Sequence, residues 1–165
     1  MHTIPEEEGW PVSILETYLA MIEGSVGSRQ YLRLYVDDKN EGCPRDVIDN
    51  GRFPCAYFSS SVMYLMTLLE KGPHTTVVKT VEWMLRSQWY QVYQLVIGAV
   101  ITWGPKLGSD GKHHKHIGFY VGDEMAISTD GVTGIPTKHH FTYGVENGRP
   151  VRKVEAIFFH EKLRY

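Results

Sequence analysis

The chain has 165 residues, a formal net charge of −2 at pH 7, and a composition that is 42% hydrophobic and 22% charged. These proportions are typical of a globular protein and exclude intrinsic disorder, and the length predicts a single domain over residues 1–165. Because nucleic-acid binding needs a strongly basic surface, the near-neutral charge argues against nucleic acid as a partner. The chain lacks an apolar run of about 18 residues, so membrane insertion is not expected.

The N-terminal residues and the cysteine content indicate the compartment. Residues 1–9 contain an acidic run at 6–8 and lack the basic region and apolar run of a secretory signal. We therefore expect a cytoplasmic protein, or one exported by a route that needs no such leader. The two cysteines, Cys43 and Cys55, exclude a disulfide-rich scaffold.

Two helices are predicted from their start and stop signals in the first half of the chain. The first begins at Pro11 and ends at Glu23, where Gly24 follows as a stop signal. The second begins after Pro54, because proline lacks a backbone N–H and suits the start of a helix. It is expected to extend to the neighbourhood of Gly72.

A third helix is predicted over residues 77–90, with Thr75 or Thr76 as its cap. Residues 31–36 fit a helix or a strand, and a helical or irregular segment is preferred. The Asp, Asn, Gly and Pro residues of segment 37–53 predict a long connecting loop.

After Tyr90 the chain is rich in β-branched and aromatic residues, which are separated by Gly, Pro and Asp. This pattern predicts strands at residues 96–103, 114–121, 125–129, 137–143 and 152–160. Residues 122–124 predict a tight hairpin turn. Helices followed by strands indicate an α+β fold in which N-terminal helices pack on a mostly antiparallel β-sheet.

Cys55 follows Pro54 and therefore falls in the first turn of the predicted second helix. Unpaired N–H groups and the helix dipole favour a negative charge at this place, and a thiolate is such a charge. The position predicts a nucleophilic sulfur with a pKa below that of an ordinary thiol, and the alternative is an inert buried thiol. The apolar face of this helix is formed by Phe58, Val62, Leu65, Met66 and Leu69.

A nucleophilic cysteine needs a neighbouring base, and histidine suits that role near neutral pH. Of the eight histidines, His116 precedes an apolar strand in which Gly118 leaves room for close approach. His113, His114 and His116 also suggest a metal site. Successive strand residues point to opposite faces, so at most two of these rings share a face, and the lysines between them disfavour a cation. No metal or other cofactor is expected.

Cys55 opens a helix, residues 98–103 have the sequence GAVITW, and residues 116–123 have the sequence HIGFYVGD. In this order the three stretches resemble the NlpC-type papain-like cysteine peptidases and amidases, which cut peptidoglycan stem peptides. The second stretch is similar to the Gly-Asp-hydrophobic strand of that family, and the third to its His-Val-Gly-Ile-Tyr-hydrophobic-Gly signature. The resemblance covers residues 50–130 and implies a papain-like NlpC-type fold, with Cys55 as nucleophile and His116 as general base.

The third catalytic position of the family, usually His, Asn or Gln, falls at Ser128 in this chain. A serine orients an imidazole only weakly, whereas Asp130, two residues further on the same strand face, would orient it better. His139 or His140 of the next predicted strand are further candidates. The third member of the site stays open among these four residues.

The resemblance implies a hydrolase that cleaves an amide bond through a thioester, with a peptide or peptidoglycan fragment as substrate. The Cys55 backbone N–H would help to stabilise the oxyanion. Two alternatives remain, since residues 54–57 differ from the Asp/Asn-Cys-Ser-Gly of the family. One is a binding module that keeps the fold without activity. The other is an acyl transferase that passes the thioester to an acceptor other than water.

Overall fold

The computed structural model describes residues 11–108 and 110–164 of the chain. The acidic run at residues 6–8, like the rest of segment 1–9, lies outside the described residues. Within the described part, the helices are α1 (Ile14–Gly24), α2 (Cys55–Leu65) and α3 (Val77–Arg86), followed near the end by a 3₁₀ turn (Glu161–Leu163). None of the helices in this part is long and apolar enough to cross a membrane.

Most of the strands lie in the second half of the chain. The strands are β1 (Tyr35–Asp38), β2 (Cys43–Asp46), β3 (Trp89–Val92), β4 (Val100–Leu107), β5 (His113–Gly122), β6 (Met125–Thr129), β7 (Pro136–His140), β8 (Val145–Glu146), β9 (Arg149–Pro150) and β10 (Val154–His160). Six of them form one sheet in the order β3-β10-β4-β5-β6-β7, and every neighbouring pair is antiparallel. The predicted α+β class with a mostly antiparallel sheet is confirmed.

The helices pack on one face of this sheet. Phe119 of β5 makes edge-on contacts with Phe58 of α2 and Tyr18 of α1, with ring centroids 5.4 and 5.6 Å apart. These rings belong to the main hydrophobic core. Burial of such aromatic side chains is the main force that fixes α1 and α2 against the sheet.

The opposite face of the sheet carries a smaller core around Trp103 and Ile101 of β4. The ladder pairs Trp103 with His116 and Ile101 with Gly118. Because side chains alternate along a strand, His116 and Gly118 share this face, and Ile117 lies on the helix face.

Strand β5 loses its regular pairing near His116. The β4–β5 ladder has a bulge between Trp103 and Lys106, and the β5–β6 ladder extends no further than the pair of Phe119 with Ile127. We call the region beyond this last pair the β5–β6 opening. In this region the β5 backbone groups that point towards β6 make no ladder hydrogen bonds, so another part of the chain can approach them.

Segment 35–46 forms a hairpin, where the sequence predicted irregular structure and a loop. Strands β1 and β2 pair over all four of their residues, so the interpretation of 37–53 as a loop is wrong for this part. Gly42, with a φ of +67°, and Asp38, whose carboxylate accepts from the Asn40 N–H at 3.0 Å, shape the turn. Both faces of the hairpin are largely exposed, so its strands lack the alternation by which strands are recognised.

Helices α2 and α3 end earlier than predicted. Helix α2 stops at Leu65, whose side chain is 65% exposed and not part of the buried face. Ser59 and Ser60 are fully buried instead, because α2 is covered on most of its sides. Helix α3 ends at Arg86 and not at residue 90, because the backbone takes a φ of +68° at Gln88 before β3 begins.

Gly118 has no room for a side chain. A Cβ added there would lie 2.6 Å from both the backbone oxygen of Ile127 and the Cβ of Ser128. Both atoms belong to β6, so we expect Gly118→Ala to force β5 and β6 apart and to lower the free energy of unfolding by about 2 kcal/mol. Urea denaturation measures this loss.

The control for this substitution is Gly131→Ala, because nothing lies within 4 Å of a Cβ added at Gly131. Its stability is expected to stay within about 0.5 kcal/mol of the original chain. Equal stability of the two variants would contradict the close packing at Gly118.

Candidate active site

Cys55 is the first residue of α2, as predicted, and Pro54 is its N-cap. The first intrahelical hydrogen bond runs from the Phe58 N–H to the Pro54 carbonyl at 2.8 Å. The N–H groups of residues 55–57 therefore have no acceptor within the helix. The partly buried side chain of Cys55 packs against the main hydrophobic core. The start of α2 thus presents a sulfur and backbone donors at the same point.

The sulfur of Cys55 lies at the β5–β6 opening. The backbone N–H groups of Ala56, Ile117 and Cys55 itself are placed to hydrogen-bond its thiolate form, and the Arg152 guanidinium favours the same charge. The N–H of Ile117 is accessible on the β6 side because the ladder has ended. Ile117 directly follows His116, so the sulfur lies one residue from the predicted base.

Burial raises the pKa of the Cys55 thiol to about 11. The hydrogen bonds from Ala56 and Ile117 and the charge of Arg152 act in the opposite direction, but they do not outweigh the loss of water around the sulfur. The N–H groups at the helix start do lower the pKa, but the expectation of a pKa below that of an ordinary thiol is wrong because burial outweighs them. The thiol is uncharged at neutral pH, and its reactivity depends on a neighbouring proton acceptor.

His116 lies in β5, and its ring reaches towards β6, where its Nε2 is 3.0 Å from the Ser128 hydroxyl oxygen. The ring also contacts Trp103, with centroids 5.5 Å apart. Burial lowers the pKa of His116 to about 3, and the charges of Arg152 and His139 act in the same direction. The imidazole is therefore uncharged at neutral pH.

The Ser128 hydroxyl connects three side chains. Its Oγ lies 3.0 Å from His116 Nε2, 2.7 Å from His139 Nε2 and 2.9 Å from the Tyr143 hydroxyl. A hydroxyl donates one hydrogen bond and accepts two, so the three contacts need one donation and two acceptances. The His140 carbonyl accepts from His139 Nδ1 at 2.8 Å, so Nδ1 carries the proton of that ring.

These contacts determine where the protons lie. His139 is neutral because burial lowers its pKa, so its Nε2 has a lone pair and accepts the proton of Ser128. Tyr143 keeps its own proton, since burial raises its pKa to about 12, and donates it to Ser128. The third contact then requires His116 to donate from Nε2. In this arrangement Nδ1 of His116 is the unprotonated nitrogen, as a general base requires, while the Thr129 carbonyl acts in the opposite direction by raising the pKa of the ring.

Cys55 and His116 approach the opening from two faces of the sheet. Helix α2 packs on the face of Phe119, whereas the His116 side chain extends from the other face. Beyond the last β5–β6 pair, no ladder hydrogen bonds separate the two faces. The sulfur at the Ile117 N–H and the imidazole at Ser128 therefore border the same opening.

Of the four candidates for the third position, Ser128 contacts His116 directly and His139 contacts Ser128. Asp130 lies beyond the end of β6, and its Oδ1 accepts hydrogen bonds from the backbone and the hydroxyl of Thr133 at 2.7 and 3.0 Å. Its carboxylate therefore closes a turn and does not orient the imidazole. The Asp130 charge still favours the protonated form of His116, as a minor effect on its pKa.

Two further histidines have partners of their own. His140 Nδ1 is 2.7 Å from the Thr142 hydroxyl, so its ring faces away from Ser128 and only its carbonyl serves the site. His114 Nε2 lies 2.9 Å from both carboxylate oxygens of Asp110. Among residues 11–108 and 110–164, no three His, Cys, Asp or Glu side chains are grouped so as to hold a metal ion.

Sequence reasoning missed Tyr143 and Arg152 as parts of the site. The Tyr143 ring stacks on His139 with centroids 4.0 Å apart, and its hydroxyl reaches Ser128. Neither Tyr143 nor Arg152 belongs to a recognisable motif. They flank the short β8–β9 hairpin, and the Arg152 N–H donates to the Thr142 carbonyl at 2.9 Å, which brings the two ends together. The position of both residues near Cys55 therefore depends on this backbone pairing and not on a local sequence pattern.

No protein-family model matches the chain, and no curated protein matches its sequence. The candidate roles of Cys55, His116 and Ser128 therefore rest on their geometry and on the resemblance of residues 98–103 and 116–123 to the NlpC-type family.

The half-buried, neutral His116 makes the stability of the fold depend on pH. Its pKa is about 3 in the folded chain, and that of a histidine in an unfolded chain is about 6.5. The unfolded state therefore binds more protons between these values, so stability is lost as the pH falls from 6.5. We expect His116→Gln to reduce the slope of unfolding free energy against pH by about 1 kcal/mol per unit between about pH 4.5 and 6.

Urea denaturation at several pH values measures this slope. His113→Gln, which changes an exposed histidine of the same strand, is the matched control. A slope that is the same in the His116 and His113 variants would contradict the burial of a neutral imidazole at His116.

Proposed function

We propose that this chain is a cysteine hydrolase that cleaves an amide bond through a thioester on a papain-like NlpC-type fold. The substrate implied by the resemblance is a peptide of the peptidoglycan stem type. One observation carries the proposal. The Ile117 N–H is placed to stabilise the Cys55 thiolate, and the adjacent His116 contacts the Ser128 hydroxyl through Nε2, which leaves Nδ1 for the role of base. A nucleophile, a base and a group that orients the base are what nucleophilic catalysis requires.

In the first half of the reaction, the Cys55 thiol transfers its proton to Nδ1 of His116, and the sulfur attacks the carbonyl carbon of the amide. Backbone N–H groups at the start of α2, that of Cys55 among them, stabilise the oxyanion that forms. His116 then donates the proton to the leaving nitrogen as the C–N bond breaks. The products of this half are a free amine and a thioester on Cys55.

In the second half, water hydrolyses the thioester. His116 removes one proton from the water, the resulting hydroxide attacks the thioester carbon, and the C–S bond breaks. The proton returns to the sulfur, and the acid leaves. Thiol and neutral imidazole are thereby restored for the next cycle.

Ser128 and His139 support the charge that His116 acquires in both halves. When Nδ1 gains a proton, the ring becomes positive, and its Nε2–H donates more strongly to the Ser128 oxygen. Ser128 donates in turn to His139, whose own proton is held by the His140 carbonyl. Such a chain of hydrogen bonds polarises cooperatively. It would supply the orientation that the family obtains from one His, Asn or Gln.

The pKa values of the pair are consistent with a reaction that starts from two neutral groups. Burial raises the pKa of Cys55 to about 11 and lowers the pKa of His116 to about 3, so neither group is charged at rest. Proton transfer between them leaves the net charge of the site unchanged. These two pKa values oppose the transfer, so catalysis by this route requires the attraction between thiolate and imidazolium, together with substrate binding, to offset its cost.

A second candidate function is ligand binding without catalysis on the same fold. The raised pKa of Cys55 favours it, because a neutral thiol is a poor nucleophile unless a base removes its proton. The two functions differ in whether His116 activates the sulfur.

The pH dependence of Cys55 alkylation by iodoacetamide tests this activation. Between about pH 5 and 9 the pair holds one transferable proton, so the fraction with that proton on His116 does not depend on pH. We expect a nearly constant rate at Cys55, whereas an ordinary thiol gains about tenfold per pH unit below its pKa of about 8.5. Mass spectrometry of the two cysteine peptides gives both rates in one sample.

The exposed Cys43 is the internal reference for this measurement. His116→Gln is expected to replace the constant profile at Cys55 by one that rises with pH. If Cys55 of the original chain reacts no faster than Cys43 and rises with pH in the same way, its sulfur is not activated, and the binding function is supported.

Hydrolysis itself is tested with stem peptides released from purified bacterial peptidoglycan. We expect Cys55→Ala and His116→Gln to lower the cleavage rate by a factor of at least about 100, because each removes a group that takes part in proton transfer or attack. Chromatography of the peptides, with detection of new amines, measures the rate.

Cys43→Ala is the matched control and is expected to cleave like the original chain, because Cys43 lies in the exposed hairpin. Formation of a new amide with added glycine amide, in preference to the free acid, would identify an acyl transferase. Cleavage that persists in Cys55→Ala would contradict the proposed nucleophile.

A further inference from the structure

Arg152 lies beside the site, and the mechanism above does not use it. Its Nη2 donates to the carbonyl oxygens of Gly104 and His114 at 3.1 and 3.0 Å. These carbonyls belong to the bulge that interrupts the β4–β5 ladder. The guanidinium is therefore fixed at a point two residues from His116 along β5.

The Arg152 guanidinium has no counter-charge in the described part of the chain. Its Nε–H is buried and has no hydrogen-bond partner. No acidic side chain of residues 11–108 and 110–164 forms an ion pair with it. Other arginines do have such a partner, namely Arg45, Arg52, Arg86 and Arg164.

Support of the bulge does not account for the whole environment of the Arg152 guanidinium. The two carbonyl bonds of Nη2 explain how Arg152 holds β4 and β5, but they leave Nε without a partner. Shielding a cation from water without a compensating charge costs free energy. A negative charge brought close to the guanidinium from outside the chain would offset the electrostatic part of that cost without contacting the buried Nε.

The groups nearest to this charge do not supply a compensating one. Arg152 favours the ionised forms of Cys55 and Tyr143, but both are uncharged at neutral pH because burial raises their pKa values. His116 is neutral as well. Asp130, the carboxylate whose charge affects His116, binds the N–H groups of its own turn.

We propose that Arg152 binds a carboxylate of the substrate next to the amide bond that Cys55 attacks. Nη2 is occupied by the two carbonyls and Nε is buried, so the N–H groups of Nη1 are the ones that would donate to a carboxylate oxygen. The position beside Cys55 and His116 places that carboxylate close to the scissile bond. The inference rests on the proposed function, because the carboxylate belongs to the molecule that is cleaved. Arg152 is then the residue that selects acidic peptides.

Two alkylating reagents test this subsite without any hydrolysis. Iodoacetate and iodoacetamide each transfer their methylene carbon to a thiolate and release iodide, but only iodoacetate carries a carboxylate. In a chain with Cys43→Ser, we expect Arg152→Gln to lower the ratio of the iodoacetate rate to the iodoacetamide rate at Cys55 about tenfold. That factor corresponds to about 1.4 kcal/mol.

The ratio cancels changes in the thiolate fraction and in access to the sulfur, because both affect the two reagents equally. Arg152→Lys keeps the positive charge and is expected to retain most of the ratio. Arg149→Gln removes an exposed arginine three residues away and is expected to leave the ratio unchanged. An unchanged ratio in Arg152→Gln, with both rates lower, would mean that Arg152 serves the thiolate alone, and it would overturn the subsite.

Salt provides a second test in the Cys43→Ser chain with Arg152 intact, should the Arg152 variants fail to fold. Added sodium chloride screens the attraction between Arg152 and iodoacetate, so the ratio at Cys55 is expected to fall. For a thiolate without a nearby cation, salt screens repulsion and the ratio rises. A rising ratio at Cys55 would therefore overturn the subsite.

Failure of the subsite and failure of the hydrolase are distinguishable. A Cys55 that is activated towards iodoacetamide but shows no selectivity for iodoacetate contradicts the carboxylate subsite alone. A Cys55 that reacts no faster than Cys43 in the original chain contradicts the hydrolase and, with it, the substrate to which the carboxylate belongs.

Discussion

The hydroxyl of Ser128 has a single proton, and this limit fixes the hydrogen-bonding state of the whole site. His139 takes that proton at Nε2, so Tyr143 and His116 have to donate to the serine oxygen. A serine alone is a poor orienting group because its hydroxyl rotates. Here, His139 accepts the serine proton, and its own Nδ1–H donates to the His140 carbonyl. The Ser128 hydroxyl then has one orientation that satisfies all three of its partners. The side-chain tautomer of His116 is thus decided three hydrogen bonds away.

The place where this group of side chains meets the sulfur depends on the way β5 and β6 separate. Gly118, the first β5 residue beyond the last ladder pair, allows β6 to approach closely at that point, and Cys55 lies on the helix face near Ile117. Covering the thiol and the imidazole disfavours the charged form of each, which explains why both are neutral.

Local signals in the sequence were sufficient for the coarse fold. Pro54 marked the start of α2, and residues 125–129 coincide with β6. The turn between β5 and β6 was also recognisable, and there Asp123 and Glu124 adopt φ values of 50° and 59°. The exposed β1–β2 hairpin escaped notice because it buries neither face, so its residues are not under the constraint that produces alternation.

The candidate site was predictable only where neighbours along the chain define it. Cys55 and His116 follow from a helix start and a strand motif, and Ser128 was expected only from the resemblance to the NlpC-type family. The pKa of Cys55 could not be inferred, because it depends on how much of the sulfur is covered by distant parts of the chain. His139 joins Ser128 only through the register of β6 with β7, and no local pattern encodes that register.

Tyr143 and Arg152 lie at the two ends of the β8–β9 hairpin, whose base is closed by backbone hydrogen bonds of 2.9 and 3.0 Å. The tip at Asn147 and Gly148 lies beyond that closure and turns with positive φ at both residues. Lengthening or exchanging the tip therefore leaves the two anchored side chains in register. The tip is thus a place where the chain can vary in sequence or length while Tyr143 and Arg152 keep their positions.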